Sequence, residues 1–165
     1  MKKVFKIAIV AIAAVTMSVA AQAQQKGDMA AGGSLVIGTG DSFTNVGISG
    51  KFLYNVTDPI RMEGSLTFFL KKNNVSFWDI SVNGHYLFPV ADQITVYPLA
   101  GLGIFGSKVD MGSWGSYSNS DVCFNIGGGM DFKLTDQLFL NAELKYKIVN
   151  HWNRLMISAG ITYKF

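Results

Sequence analysis

From Arg154 to Phe165 the chain alternates: Leu155, Ile157, Ala159, Ile161, Tyr163 and Phe165 are apolar, while Arg154, Met156, Ser158, Gly160, Thr162 and Lys164 between them are mostly polar or small. A period of two marks a strand with one greasy and one wet face. The same period returns seven times upstream, each stretch closed by a turn signal. A chain written this way folds into antiparallel sheet, and its apolar face must find an apolar environment.

The upstream stretches are read as follows. Ala30 to Thr39 is Gly-rich, with Leu35 and Ile37 on the apolar face. The second stretch sets Val46, Ile48, Phe52, Tyr54 and Val56 against Gly47, Ser49, Lys51 and Asn55, and the third sets Ile60, Met62, Leu66, Phe68 and Leu70 against Arg61, Glu63, Ser65, Thr67 and Lys71. The fourth opposes Trp78, Ile80, Val82, Tyr86 and Phe88 to Asp79, Ser81, Asn83 and His85. The fifth runs Ile94, Val96, Pro98, Ala100, Leu102, Ile104, and Pro98, which has no ladder donor, predicts a bulge there. Ser107 to Ser120 is the one long connection. The sixth stretch opposes Val122, Phe124, Ile126, Met130 and Phe132 to Asp121, Asn125, Gly127, Gly129 and Asp131. The seventh alternates Leu138, Leu140, Ala142, Leu144, Tyr146 and Ile148 with Asn141, Glu143, Lys145 and Lys147.

The start of the chain is of another kind. Lys2, Lys3 and Lys6 precede an apolar run from Ile7 to about Val15, followed by Ala21-Gln22-Ala23. Basic start, short apolar core and A-x-A read as a secretory signal peptide over residues 1–23, cut after Ala23, and too short for a membrane anchor. With the leader go three of the 14 basic residues, leaving 11 to balance 11 acids. The surviving chain has no cationic excess for a phosphate backbone, which excludes nucleic acid as a partner. Cys123 is alone and cannot form an internal disulfide. Residues 24–165 make one domain, and with no further long apolar run this chain crosses a membrane only as a closed barrel.

Ser158-x-Gly160-x-x-Tyr163-x-Phe165 resembles the C-terminal insertion signal of bacterial outer-membrane β-barrel proteins. With the eight alternating stretches, the whole mature chain resembles the outer-membrane β-barrel domain family, of the small OmpA-like, OmpX-like and opacity-like type. The resemblance implies an all-β fold, an eight-stranded antiparallel up-and-down transmembrane barrel. It also implies insertion by the barrel-assembly machinery, outer-membrane lipid around the wall, and both termini periplasmic. Three connections share an aromatic before a short Asp-containing turn: Tyr54 to Pro59, Leu87 to Asp92 and Phe132 to Asp136. They follow the second, fourth and sixth strands and are read as the periplasmic turns. Tyr54, Tyr86, Phe88, Phe132, Tyr163 and Phe165 form the girdle at that end, and Phe68, Trp78, Phe105, Tyr146 and Trp152 lie nearer the outer rim. Since the chain ends at the last strand, the wall-tethering domain of longer relatives is not implied. A soluble sandwich or lipocalin-like barrel would instead turn the apolar side inward.

If the apolar set faces lipid, the other set fills the lumen: Lys51, Arg61, Glu63, Asp79, His85, Asp131, Lys133, Glu143, Lys145, Lys147, Arg154 and Lys164. Eight strands leave room only for side chains, so these groups must neutralise one another. Counting from the Thr57–Pro59 turn, Leu53 faces Glu63 with Lys51 diagonal, which makes Lys51 and Glu63 an ion pair. Glu143 has Lys145 and Lys147 on its own face and Arg154 or Lys164 across the next hairpin. A self-neutralised interior is a plug, and the function read from it is a non-enzymatic envelope-structural or surface-interaction role. A narrow channel for small solutes is the first alternative.

A lipid A-modifying enzyme is the second alternative, prompted by His151-Trp152-Asn153. The position a nucleophilic Ser would need is Asn153, and Ser158 is expected inside the lumen. Accordingly no catalytic, metal or cofactor residue is assigned; His85 reads as a polar lumen residue and Cys123 as a small inward filler. The place for a surface ligand is the 107–120 connection, where Met111, Trp114 and Tyr117 stand among Gly and Ser as adaptable contact groups.

Overall fold

The computed structural model describes residues 25–40, 43–71, 75–110, 116–149 and 152–165. Nine strands follow one another: β1 (Met29–Gly40), β2 (Phe43–Asn55), β3 (Ile60–Phe69), β4 (Val75–Tyr86), β5 (Phe88–Ala91), β6 (Ile94–Asp110), β7 (Ser116–Lys133), β8 (Leu138–Val149) and β9 (Trp152–Lys164). Consecutive strands pair antiparallel except β4 and β5, which both pair with β6, and β1 also pairs with β9, so the sheet closes on itself. β5 prolongs β4 in the same register against β6, from His85 opposite Leu99 to Phe88 opposite Val96. The nine segments are therefore eight staves of one barrel.

The alternation decides what faces where. On β8, Leu140 and Leu144 are 47% and 50% exposed while Glu143 between them is 4% exposed. The pattern repeats around the wall: Leu35, Ile48, Phe68, Val82, Leu102, Phe124 and Ile157 point out, and Lys51, Arg61, Asp79, Asn125, Lys147 and Arg154 are buried inside. Charge within and hydrocarbon without is the inverse of a water-soluble core, and it suits a wall bathed in lipid.

Apolar groups also enter the lumen toward both ends. Toward the β1–β2 and β6–β7 loops, Val36, Phe69, Phe105, Cys123, Val149 and Met156 pack together with Phe77 against them. Toward the short turns, Leu87, Tyr97 and Leu99 form a second cluster. Phe105 corrects the sequence reading, which set it on the outer rim. It is 1% exposed inside the barrel, because the outward positions of β6 carry even numbers and 105 falls on the inward parity.

Two further expectations change. β6 keeps its register with β7 straight through Pro98, opposite Gly128, so no bulge forms there. The missing N–H instead coincides with a break in the facing chain at Leu87, between β4 and β5, and the register shift lies at Pro89/Ala91. The connection expected over 107–120 is mostly strand: Ser107 pairs with Asn119 and Asp110 with Ser116. Ser and Asn do not end a strand whose backbone still has a partner, so β6 and β7 extend to 17 and 18 residues.

Close packing explains two glycines, Gly129 on the inward face and Gly106 on the outward face of the wall. A Cβ on Gly129 would meet the Tyr97 ring at 2.7 Å, and one on Gly106 would enter the Trp78 indole. Each aromatic lies over the bare backbone of its neighbour strand.

The inside-out wall predicts opposite sensitivities on its two faces. Leu144→Arg, facing hydrocarbon, should cost about 2–4 kcal/mol, and Phe105→Ala, inside, about 3–5 kcal/mol, both read from urea unfolding in vesicles. The intact barrel should migrate differently on gels before and after heating. A Leu144→Arg protein as stable as the parent would contradict the orientation.

Candidate functional site

The inward positions assemble a polar column along the lumen. At its turn end Arg61 of β3 reaches across to β7, its Nη1 2.6 Å from Asp131 Oδ2. Arg61 Nε donates to His85 Nδ1 at 3.2 Å. His85 stacks on Tyr97 with centroids 4.6 Å apart and planes 8° from parallel, and the Arg61 guanidinium lies 4.7 Å from the same ring. The Tyr97 hydroxyl donates to Glu143 Oε1 at 2.9 Å, which links this tier to the next.

The middle tier is a ring of alternating charge. Lys51 Nζ lies 2.7 Å from Glu143 Oε1 and 3.7 Å from Glu63 Oε2. Lys145 Nζ lies 3.0 Å from Glu63 Oε1 and 3.0 Å from Glu143 Oε2. Each carboxylate touches both ammonium groups, so the four charges cancel locally. Asn83 Nδ2 donates to Glu63 Oε1 at 2.8 Å, and Asn83 Oδ1 accepts from Asn125 Nδ2 at 2.8 Å.

Above the ring Lys147 pairs with Asp79 and donates to Ser81 Oγ at 3.1 Å, while Ser81 donates to Asp79 Oδ1 at 2.8 Å. Arg154 stands nearest the loops. Its guanidinium lies 4.9–5.2 Å from the rings of Phe69, Phe77 and Phe105, and its Nη2 donates to Gly38 O and Asn45 Oδ1. A cavity of about 10 Å³ lined by Ser34, Ser49, Ser65, Ser81 and Ser158 lies beside the three lysines. That is room for about one water and no solute.

The turn end carries two further, partly exposed pairs. Lys164 Nζ is 3.2 Å from Asp28 Oδ2, and Lys133 Nζ is 2.7 Å from Asp136 Oδ1. The hydrogen bond and charge of Lys133 hold the Asp136 carboxyl below its ordinary range.

Glu63, His85 and Glu143 bring ligand atoms within 4.8 Å of one another, a spacing a metal could use. The chemistry argues against a cation. Lys51 and Lys145 already neutralise both carboxylates. Arg61, which has no acceptor atoms, donates to His85 Nδ1, so the neutral ring carries its proton on Nε2, 4.0 Å from Glu63 Oε2. A protonated nitrogen has no lone pair for a metal.

Of the lumen residues named from the sequence, Lys133 and Lys164 sit half-buried at the turn end, paired with Asp136 and Asp28; the others lie inside, but their partners are not all those expected. Glu143 faces Ser158 across the next hairpin and finds Lys51 across the lumen instead of Arg154 or Lys164. Lys147 and Arg154, directly opposite on β8 and β9, turn apart: one goes to Asp79, the other to the phenylalanine cage. Asn83, Asn125 and Tyr97 carry hydrogen bonds that sequence reasoning did not assign, although inward parity marks all three.

Of the C-terminal pattern, Ser158 is buried in the lumen, Gly160 lies against Ser34, and Tyr163 and Phe165 are 47% and 65% exposed. Met111, Trp114 and His151 lie outside the described residues; Tyr117 sits in β7 opposite Val109.

Residues 7–165 match the family described as outer membrane protein beta-barrel domain. No curated protein matches the chain by sequence. Among solved structures it is similar to Ail, the attachment invasion locus protein of Yersinia pestis, at 18% identity and a TM-score of 0.64, covering 86% of this chain and 100% of that one. Neisserial surface protein A matches at 16% identity and 0.69, over 84% of this chain and 96% of that one. The N-terminal barrel domain of Pseudomonas aeruginosa OprF matches at 19% and 0.69, over 86% and 100%. Identities this low carry the fold, and the family match carries the membership. Fold and family match agree over nearly the whole length, and the chain belongs to the outer membrane protein beta-barrel domain family of the bacterial outer membrane.

Proposed function

We propose that this outer-membrane barrel is a non-enzymatic envelope protein that acts through its wall and its loop end, not through its lumen. The observation carrying the proposal is the alternating ring of Lys51, Glu63, Lys145 and Glu143 across the middle of the barrel, with a buried apolar cluster toward either end. Moving an ion past it means separating buried opposite charges, and a passive solute meets that barrier at every tier.

An acyl-cleaving activity finds no support in the described lumen. Ser158 is 6% exposed and directed inward, away from lipid and its headgroups. In this reading the Asp-containing turns and both termini are periplasmic, and the β6–β7 hairpin stands outside the cell. Tyr163 and Phe165, exposed at the end of β9, then serve the barrel-assembly machinery during insertion, and outer-membrane lipid covers the wall. One neighbour of this fold, Ail, has been crystallised with the heparin analogue sucrose octasulfate, an instance of a small barrel with a ligand.

Four measurements follow. In planar bilayers the parent protein should give no steady conductance; discrete openings abolished by Lys51→Met with Glu143→Gln would replace the plug with a channel. Lys147→Met, which strands the Asp79 carboxylate, should lower unfolding stability in vesicles by about 3–5 kcal/mol, with most of it recovered in Lys147→Met/Asp79→Asn. An epitope inserted between residues 112 and 113 should be labelled on intact cells, and labelling only after permeabilisation would reverse the orientation. Lipid A mass spectra from cells with and without the protein should show the same acylation.

A further inference from the structure

Among the described residues, the longest run of strand without a neighbour on one side is in β7. β7 pairs with β6 in unbroken register from Lys133's end up to Ser116 opposite Asp110. Its other side is covered by β8 only as far as Cys123 opposite Val149, where β8 turns into β9. Among the described residues, nothing pairs with Ser116–Val122 on that side. The edge is seven residues, about 23 Å of strand.

Such an edge cannot lie in hydrocarbon, where unpaired backbone groups are prohibitively costly. It therefore stands in water beyond the membrane, and Ser118, Asn119 and Ser120 are exposed polar residues. It is not a loose hairpin, since β4 backs it: Val75–Phe77 pair with Val109–Ser107 on the far side of β6. Three strands in register make a stable platform where two would not. Natural edges are usually blunted by Lys, Pro or a bulge. Ser116-Tyr117-Ser118-Asn119-Ser120-Asp121-Val122 has no Lys or Pro, and its register with β6 has no bulge.

We infer that Ser116–Val122 is a docking edge for an extended peptide segment of another protein, added antiparallel as a further strand and carrying a Lys or Arg beside Asp121. Backbone donors and acceptors of alternate residues supply the bonds. Asp121 is the one charged side chain of the edge and supplies the register. It is partly exposed, held by Asn119 Nδ2 at 3.0 Å, and turned to the inner face of the platform. A second copy in the same membrane does not fit. Barrel strands tilt about 40° from the axis, so a two-fold along the membrane normal leaves two such edges crossing at about 80°, neither parallel nor antiparallel.

The inference rests on the surface-interaction reading only for where the partner comes from. Purified protein reports on the edge irrespective of which way the barrel faces in the cell, and the epitope experiment reports on orientation alone. The probe is a synthetic nine-residue peptide alternating Thr and Val with a central Lys, added to the full mature chain refolded in nanodiscs. Amide hydrogen exchange is followed by nuclear magnetic resonance. Alternate amides within 116–122 should exchange quickly without peptide and slow by about tenfold or more with it. A peptide N-methylated at alternate residues, which cannot donate, should give no protection, and a Glu-centred peptide should bind less tightly than the Lys-centred one. Asp121→Asn should erase that preference while keeping the protection. Adjacent residues point their N–H groups to opposite sides, so one of Ser118→Pro and Asn119→Pro should abolish protection while β6 keeps its own slow exchange. Slow exchange throughout 116–122 without peptide, or equal protection by the N-methylated peptide, would overturn the inference.

Discussion

Closure of the hydrogen-bonded sheet is the condition on which everything else in this molecule depends. In hydrocarbon a backbone N–H or C=O without a partner costs several kcal/mol, and a sheet escapes that cost only by having no edge. Here the last strand meets the first, with Ala30 opposite Lys164 at one end and Gly40 opposite Arg154 at the other. The pairing of β4 with β6 carries the ring past the short β5 segment. Once the ring is closed, each residue has only two directions available, into lipid or into a lumen barely wide enough for side chains.

That restriction turns the electrostatics of the lumen into a packing problem. Charged groups sent inward lose most of their hydration, and desolvation outweighs attraction unless the geometry of each pair is good. The barrel meets this with compact units: Arg61 with Asp131, a four-membered ring of two lysines and two glutamates, and Lys147 with Asp79. Arg154 is treated differently, its planar cation set among three aromatic rings. The column is therefore hydrogen-bonded and ionic from the Arg61–Asp131 pair to the Lys147–Asp79 pair, and apolar side chains surround it toward the loops. The same logic accounts for Tyr97, whose ring covers Gly129 and stacks on His85 while its hydroxyl ties two tiers together.

Where the ring rises above its shortest stave, the constraint is lifted. β7 continues past the end of β8 because water, unlike lipid, tolerates an unpaired edge. The taller β4–β6–β7 platform is thus a consequence of unequal strand lengths. It leaves the longest described run of backbone groups available to another chain.

Fold class, strand count and the facing of nearly every residue were legible in the amino-acid order, because a period of two survives in each stretch and the side chains of a strand have no third direction. Parity alone puts Glu143 inside and Leu144 outside, and would have put Phe105 inside had its aromatic character not drawn it to the rim. The extent of the β6–β7 hairpin was not legible, since Ser and Asn read as loop residues while the neighbouring backbone decides whether they pair. Partner choice in the lumen was not legible either. Glu143 could have joined any inward cation on its own or an adjacent strand, and only the curvature that brings β2 opposite β8 makes Lys51 its neighbour. The sequence by itself determined which side chains are sealed in the barrel and that their charges must balance. The tertiary structure decided who neutralises whom, because closing the sheet creates contacts across the lumen that local spacing along the chain does not contain.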